Sequence, residues 1–140
     1  MRFIMLVKAD EMFEAGVMPG KELLRALHDY NQSLVRAGVL LAADDLHPSC
    51  RGARIVYESG KRTVVDGPFT ESKELVGGFW ILQCRDRDEV IEWIKRMPNP
   101  DGEHGEVEIR RVSEASDFEN MTPEVAAIEA QLRAKAAGEV

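Results

Sequence analysis

Phe3-Ile4-Met5-Leu6-Val7 opens the chain as an unbroken apolar run. Five residues are too few for a helix, so the run predicts a central strand with apolar side chains on both faces. The first helical period comes at Lys21–Ala37, where Leu23, Leu27, Tyr30 and Leu34 recur on one face. Leu24 and Val35 widen that stripe, and Gly38 is its expected C-terminal stop. Residues 11–20, broken by Gly16, Pro19 and Gly20, read as a loop.

Val39-Leu40-Leu41-Ala42 predicts a second strand that ends at His47-Pro48. Arg54–Tyr57 and Arg62–Val65 flank Ser59-Gly60, a hairpin signal. Val76–Cys84 predicts the next strand, with Phe79, Trp80, Ile81 and Leu82 in succession. Asp86 and Glu89 stand at capping distance and open a helix to about Met97, with Val90, Ile91 and Ile94 buried and Pro98 closing it. Glu106–Val112 alternates polar and apolar residues, the pattern of a strand with one solvated face.

The order is strand, helix, strand, hairpin, strand, helix, strand. That predicts an α+β fold: a ferredoxin-like split βαβ unit with an inserted hairpin. Two helices can cover only one face of an antiparallel sheet. The doubly apolar strands therefore predict a homodimer through the other sheet face. Trp80 or Phe79, whichever faces the partner, should be central to it.

Residues 113–140 differ in kind. Thr122 and Pro123 mark a helix start at N-cap and N1. Val125, Ile128 and Leu132 give only a thin apolar stripe, expected to lie on a neighbouring element or on the dimer partner. The chain is thus read as one α+β domain over residues 1–112 with a C-terminal helical extension over 113–140.

Composition adds exclusions. A chain of 140 residues that is 44% apolar is sized for one domain with a core. A net charge of −7 argues against direct nucleic-acid binding through a basic face. Arg51, Arg54, Lys61 and Arg62 cluster in sequence and read as solvated positions around the hairpin. Cys50 and Cys84 make neither a disulfide framework nor a zinc spacing. The N-terminus carries no signal-peptide pattern, and no apolar run suits a membrane span, so the cytoplasm is the expected location.

The most distinctive segment is Asp66-Gly67-Pro68-Phe69-Thr70-Glu71-Ser72-Lys73-Glu74. Asp-Gly-Pro forces a turn, and ionisable residues follow it with no apolar residue among them. A loop so constrained at one end and so polar at the other suggests a site carried on a rigid scaffold.

This segment closely resembles the signature of the DGPF family, within the wider YCII-related superfamily. Ala37–Ala42 with Leu46-His47-Pro48-Ser49, Gly77-Gly78-Phe79-Trp80, Glu89–Trp93 and Glu106–Arg110 fall in the family's order. The resemblance implies a small dimeric α+β barrel. Most such relatives have no established reaction. Some resemble partners of, or fusions to, extracytoplasmic-function sigma factors, which makes a sigma factor an expected partner under that resemblance. Relatives often resemble Gly-Glu-Gly-Leu where this chain has Ala43-Asp44-Asp45-Leu46. The superfamily's His–Asp dyad has no counterpart in the first strand.

The candidate chemistry centres on that loop. Asp66 either caps backbone N–H groups of its turn or, in a dry pocket, acts as a general base. His47, at a strand end, is the second acid–base candidate. Glu71, Lys73, Glu74, Ser49 and Asp44 are the expected ligand contacts, with Lys73 suited to an anionic group. Asp44-Asp45 with His47 is too short a cluster for a metal site, and no cofactor motif occurs, so no cofactor is expected. These residues predict a binding or sensing dimer with a small-molecule pocket beside the loop. The alternative is a cofactor-free acid–base enzyme acting on a small anionic metabolite.

Overall fold

Strand β1 (Arg2–Lys8) lies inside a four-stranded antiparallel sheet with β2 (Leu40–Asp45), β5 (Val76–Gln83) and β6 (Val107–Arg111), in the order β2-β5-β1-β6. The computed structural model describes residues 1–71, 74–99 and 103–138. Helices α2 (Lys21–Arg36) and α3 (Arg87–Lys95) supply Tyr30, Leu34 and Val90 to the core on one sheet face. The strands supply Phe3, Met5, Trp80 and Leu82 to the same core, paired Phe3 with Leu82 and Met5 with Trp80.

Residues one step along each strand point to the opposite face. Ile4, Leu6, Phe79 and Ile81 occupy it, in the pairs Ile4–Ile81 and Leu6–Phe79. They are only half-buried and stand apart from the core cluster. Trp80 therefore faces the helices, where its indole N–H donates to Asn31 Oδ1 at 2.7 Å, and Phe79 belongs to the open face. Tyr30 crosses from α2 to α3 by donating to the Trp93 carbonyl at 2.7 Å. On β6, Glu108 and Arg110 lie opposite Leu6 and Ile4, and Lys8 reaches Glu108 at 3.5 Å.

Three expectations need correction. Residues 11–20 are not wholly loop: Glu11–Glu14 form a short helix, α1, because the Asp10 side chain accepts the Phe13 N–H at 2.7 Å. Leu24 and Val35 do not widen the buried stripe of α2; they are exposed. In α4 (Pro123–Ala136), Val125, Ile128 and Leu132 are exposed too, and the half-buried positions are Ala126, Glu129 and Ala134. The start of α4 is as expected, with Thr122 Oγ1 accepting from Val125 N. Its anchor is electrostatic: Glu114 accepts from Arg2 on both carboxylate oxygens, at 2.9 and 3.2 Å, and from Arg133 on Oε2 at 2.9 Å.

The hairpin of β3 (Ala53–Glu58) and β4 (Lys61–Asp66) forms a separate two-stranded sheet. Ser59 and Gly60 both take positive φ, the turn that matches strand twist. Every residue of both strands is exposed. Among the described residues, no helix is long and apolar enough to cross a membrane.

Candidate functional site at the signature loop

The turn after β4 docks on the short 3-10 turn Ser49–Arg51. Gly67 N–H donates to the Gly52 carbonyl at 2.9 Å, and the Gly67–Pro68 peptide is cis. The glycine is required for a reason the sequence did not suggest. Its φ is not positive; instead a Cβ there would sit 1.7 Å from the Ser49 carbonyl oxygen. Backbone touches backbone at that point, which excludes any side chain.

Ser49 is the centre of this joint. Its hydroxyl donates to Glu14 Oε2 at 2.5 Å and accepts the Phe69 N–H at 3.0 Å. Its own N–H donates to Glu14 Oε1 at 3.1 Å. Both oxygens of one half-buried carboxylate are therefore spent on one serine. The contact joins α1, the 3-10 turn and the signature loop, which are far apart in sequence. Glu14 was not among the expected site residues. Its only sequence signal was Asp10, the N-cap that orders α1.

Phe69 is held from the other side, with the Arg54 guanidinium 3.8 Å from its ring centroid. Arg54 also approaches Glu71 at 3.9 Å, an exposed pair of small energetic weight. Glu74 is exposed and closes a turn by donating its N–H to the Glu71 carbonyl. Lys73 and Ser72 lie outside the described residues.

The expected acid–base residues stand apart from this joint. Asp66, paired in register with Ala53, is exposed, and its carboxylate accepts no hydrogen bond among the described residues. The turn is capped by Ser49 rather than by Asp66. His47 is exposed and likewise has no hydrogen-bond or ion-pair partner among them. Asp44 sits opposite Phe79 on the open sheet face and has none either. No bond joins Asp66, His47 and Asp44 to one another. Ser49 and Glu71 are thus brought together with Gly67 and Phe69; Asp66, His47 and Asp44 are not.

Two open concavities are lined by described residues elsewhere. One, about 350 Å³, borders His28, Asn31 and Gln32 on α2. The other, about 640 Å³, lies between α4 and residues 114–116. Neither includes a signature-loop residue. Among the described residues, no three His, Cys, Asp or Glu side chains converge as a metal site would require.

Residues 1–116 match the family model of the YCII-related domain. The match takes in the whole four-stranded sheet, the hairpin and the signature loop, and the protein belongs to the YCII-related family. An uncharacterised protein of Rhizobium meliloti is 30% identical over 90 residues, covering 64% of this chain and 73% of that relative. Helix α4 lies beyond the matched residues.

Proposed function

We propose that the protein is a homodimeric binding module of the DGPF type, with a small-molecule site where the signature loop meets the open sheet face. The strand order β2-β5-β1-β6 supports a ferredoxin-like plan, because that plan places the first and third core strands centrally. One face of the sheet is filled by α2 and α3. The other presents Ile4, Leu6, Phe79 and Ile81 in a contiguous apolar set, as an isologous partner face requires.

The observation that carries the binding reading is how the loop is held. Its fixation spends Ser49, Glu14, Gly67 and the Arg54–Phe69 stack. It leaves the carboxylates of Asp66 and Asp44 and the imidazole of His47 without partners among the described residues. A turn held at Gly67 and Phe69, with exposed polar groups left unspent, is suited to recognition. A general base is ordinarily oriented by a second group. Asp66 and His47 have no such bond among the described residues, which favours binding over turnover. The fitting ligand is a small metabolite with an anionic group for Arg51 and hydrogen-bond donors for the carboxylates.

The test is a titration of isotope-labelled protein with small anionic and zwitterionic metabolites, read by amide NMR shifts. Binding should move the amides of Asp44, His47 and Phe69 together. Shifts confined to the α4 concavity, or none across the panel, would remove this site from consideration.

A further inference from the structure

We infer that α4 pairs antiparallel with α4 of a second copy of this chain, through the stripe of Val125, Ile128 and Leu132. Steps of three and four residues put these side chains on one face of the helix. They are 45%, 49% and 60% exposed. The other side of α4 meets the chain's own body, with Ala126 and Ala134 half-buried and Arg133 bonded to Glu114 at 2.9 Å. The branched apolar residues are therefore the ones turned outward.

Charge selects the occupant. Glu124 stands four residues before Ile128 and Lys135 seven after it, so both line one flank of the stripe. Both are exposed, and neither side chain has a hydrogen-bond or ion-pair partner among the described residues. Residues 123–130 hold Glu124 and Glu129 and no cation; residues 131–137 hold Arg133 and Lys135 and no anion. Two such helices in antiparallel orientation set acid against base at both ends and oppose their macrodipoles. Parallel pairing would set like against like.

Register agrees with charge. An antiparallel pair about a two-fold axis brings the same flank of each helix together. Setting Ile128 against the second copy's Leu132 puts Glu124 level with the second copy's Lys135 to within about one residue, or ~1.5 Å along the axis. Val125 then stands level with the aliphatic stem of that lysine. The contact repeats by symmetry and closes with two copies.

Position ties this contact to the dimer proposed above. Arg2 alternates with Phe3, so it shares the open sheet face with Ile4 and Leu6. Arg2 donates to Glu114, which also holds Arg133 of α4. The helix is thus tethered at the rim of the face that the second copy covers. The α4 pairing rests on that homodimer and extends its interface. Three apolar residues per helix are too few to hold two copies without the sheet face.

The test is sedimentation across a concentration series of the full chain carrying Glu124→Lys or Lys135→Glu. Each variant alone sets like charges together at both ends of the helix pair, so dimer affinity should fall about tenfold. An equimolar mixture of the two should recover the parent's affinity, because each supplies the charge that the other lacks. Both variants stay acidic overall, so attraction between net charges does not account for recovery. A dimer that the reversals leave unweakened, or a mixture that recovers nothing, overturns the α4 pairing and leaves the sheet-face pairing standing. A monomeric parent overturns both. As a second measurement, Ile128→Ala with Leu132→Ala keeps helix propensity and should weaken the dimer about tenfold, as loss of packed interface side chains does. Unchanged affinity in that variant contradicts the pairing. Binding of the parent to vesicles of phosphatidylcholine and phosphatidylglycerol, abolished in the same variant, would give the stripe to a membrane and overturn it too.

Discussion

Ser49 and Glu14 are joined by two hydrogen bonds, one from the serine N–H and one from its hydroxyl. Through them a four-residue helix near the N-terminus holds the base of a hairpin and the signature loop. Removing the hydroxyl in Ser49→Ala strips a donor from Glu14 and an acceptor from Phe69 N–H. The expected cost is ~1–2 kcal/mol in chemical unfolding, the usual result of unpairing partly buried polar groups. Hydrogen exchange at the Phe69 amide should accelerate more than exchange in β1.

Gly67→Ala tests the same joint by steric means. A Cβ 1.7 Å from the Ser49 carbonyl oxygen has nowhere to go, since the obstacle is backbone. The loop must lift off the 3-10 turn, at a cost of ~3 kcal/mol or more by the measure of overpacked sites. A thermal midpoint unchanged from the parent would contradict the contact.

Asp66 behaves differently from a capping residue. Its carboxylate accepts nothing among the described residues, so Asp66→Asn and Asp66→Ala should both lie within about 0.5 kcal/mol of the parent. A true cap would lose about 0.5–2 kcal/mol on truncation to alanine. Urea titration of the two variants separates the cases. Ligand affinity should fall in both, since Asn keeps the shape but not the charge.

The attachment of α4 is sensitive to acid. Hydrogen bonds from Arg2 and then Arg133 hold the Glu114 carboxyl down at about 2, against an ordinary value of 4.5. The folded state therefore favours the ionised form. Its stabilising effect is complete above about pH 4.5 and is lost as pH falls towards about 2. Exchange of α4 amides should rise across that window, and Glu114→Gln should flatten the dependence.

Much of the fold was legible in the pattern of the chain. The helix stripe of Leu27, Tyr30 and Leu34, the hairpin turn at Ser59-Gly60 and the Thr122-Pro123 helix start all rest on local signals that tertiary structure did not override. The doubly apolar strands correctly marked a sheet with two apolar faces, but alternation alone could not say which of Phe79 and Trp80 faced the helices. The bond from Trp80 to Asn31, a residue on a distant helix, decides it.

What the sequence concealed was long-range and polar. Nothing local pairs Glu14 with Ser49 or explains Gly67 as a contact rather than a turn. In α4 the larger apolar residues misled, because a salt-bridged anchor at Glu114 orients the helix with Ala126, Glu129 and Ala134 inward. The signature loop stood out in the sequence, yet the residues that hold it are Ser49 and Glu14, while Asp66 and His47 are exposed.

Closure of the open sheet face by a second copy is tested directly by sedimentation velocity with Phe79→Asp. The parent should sediment as a dimer across micromolar concentrations. Phe79→Asp should keep its circular dichroism spectrum and sediment as a monomer, because an unpaired carboxylate cannot be buried between two apolar faces. A parent that is monomeric throughout, or a Phe79→Asp protein that dimerises as tightly as the parent, would contradict closure of this face by a second copy.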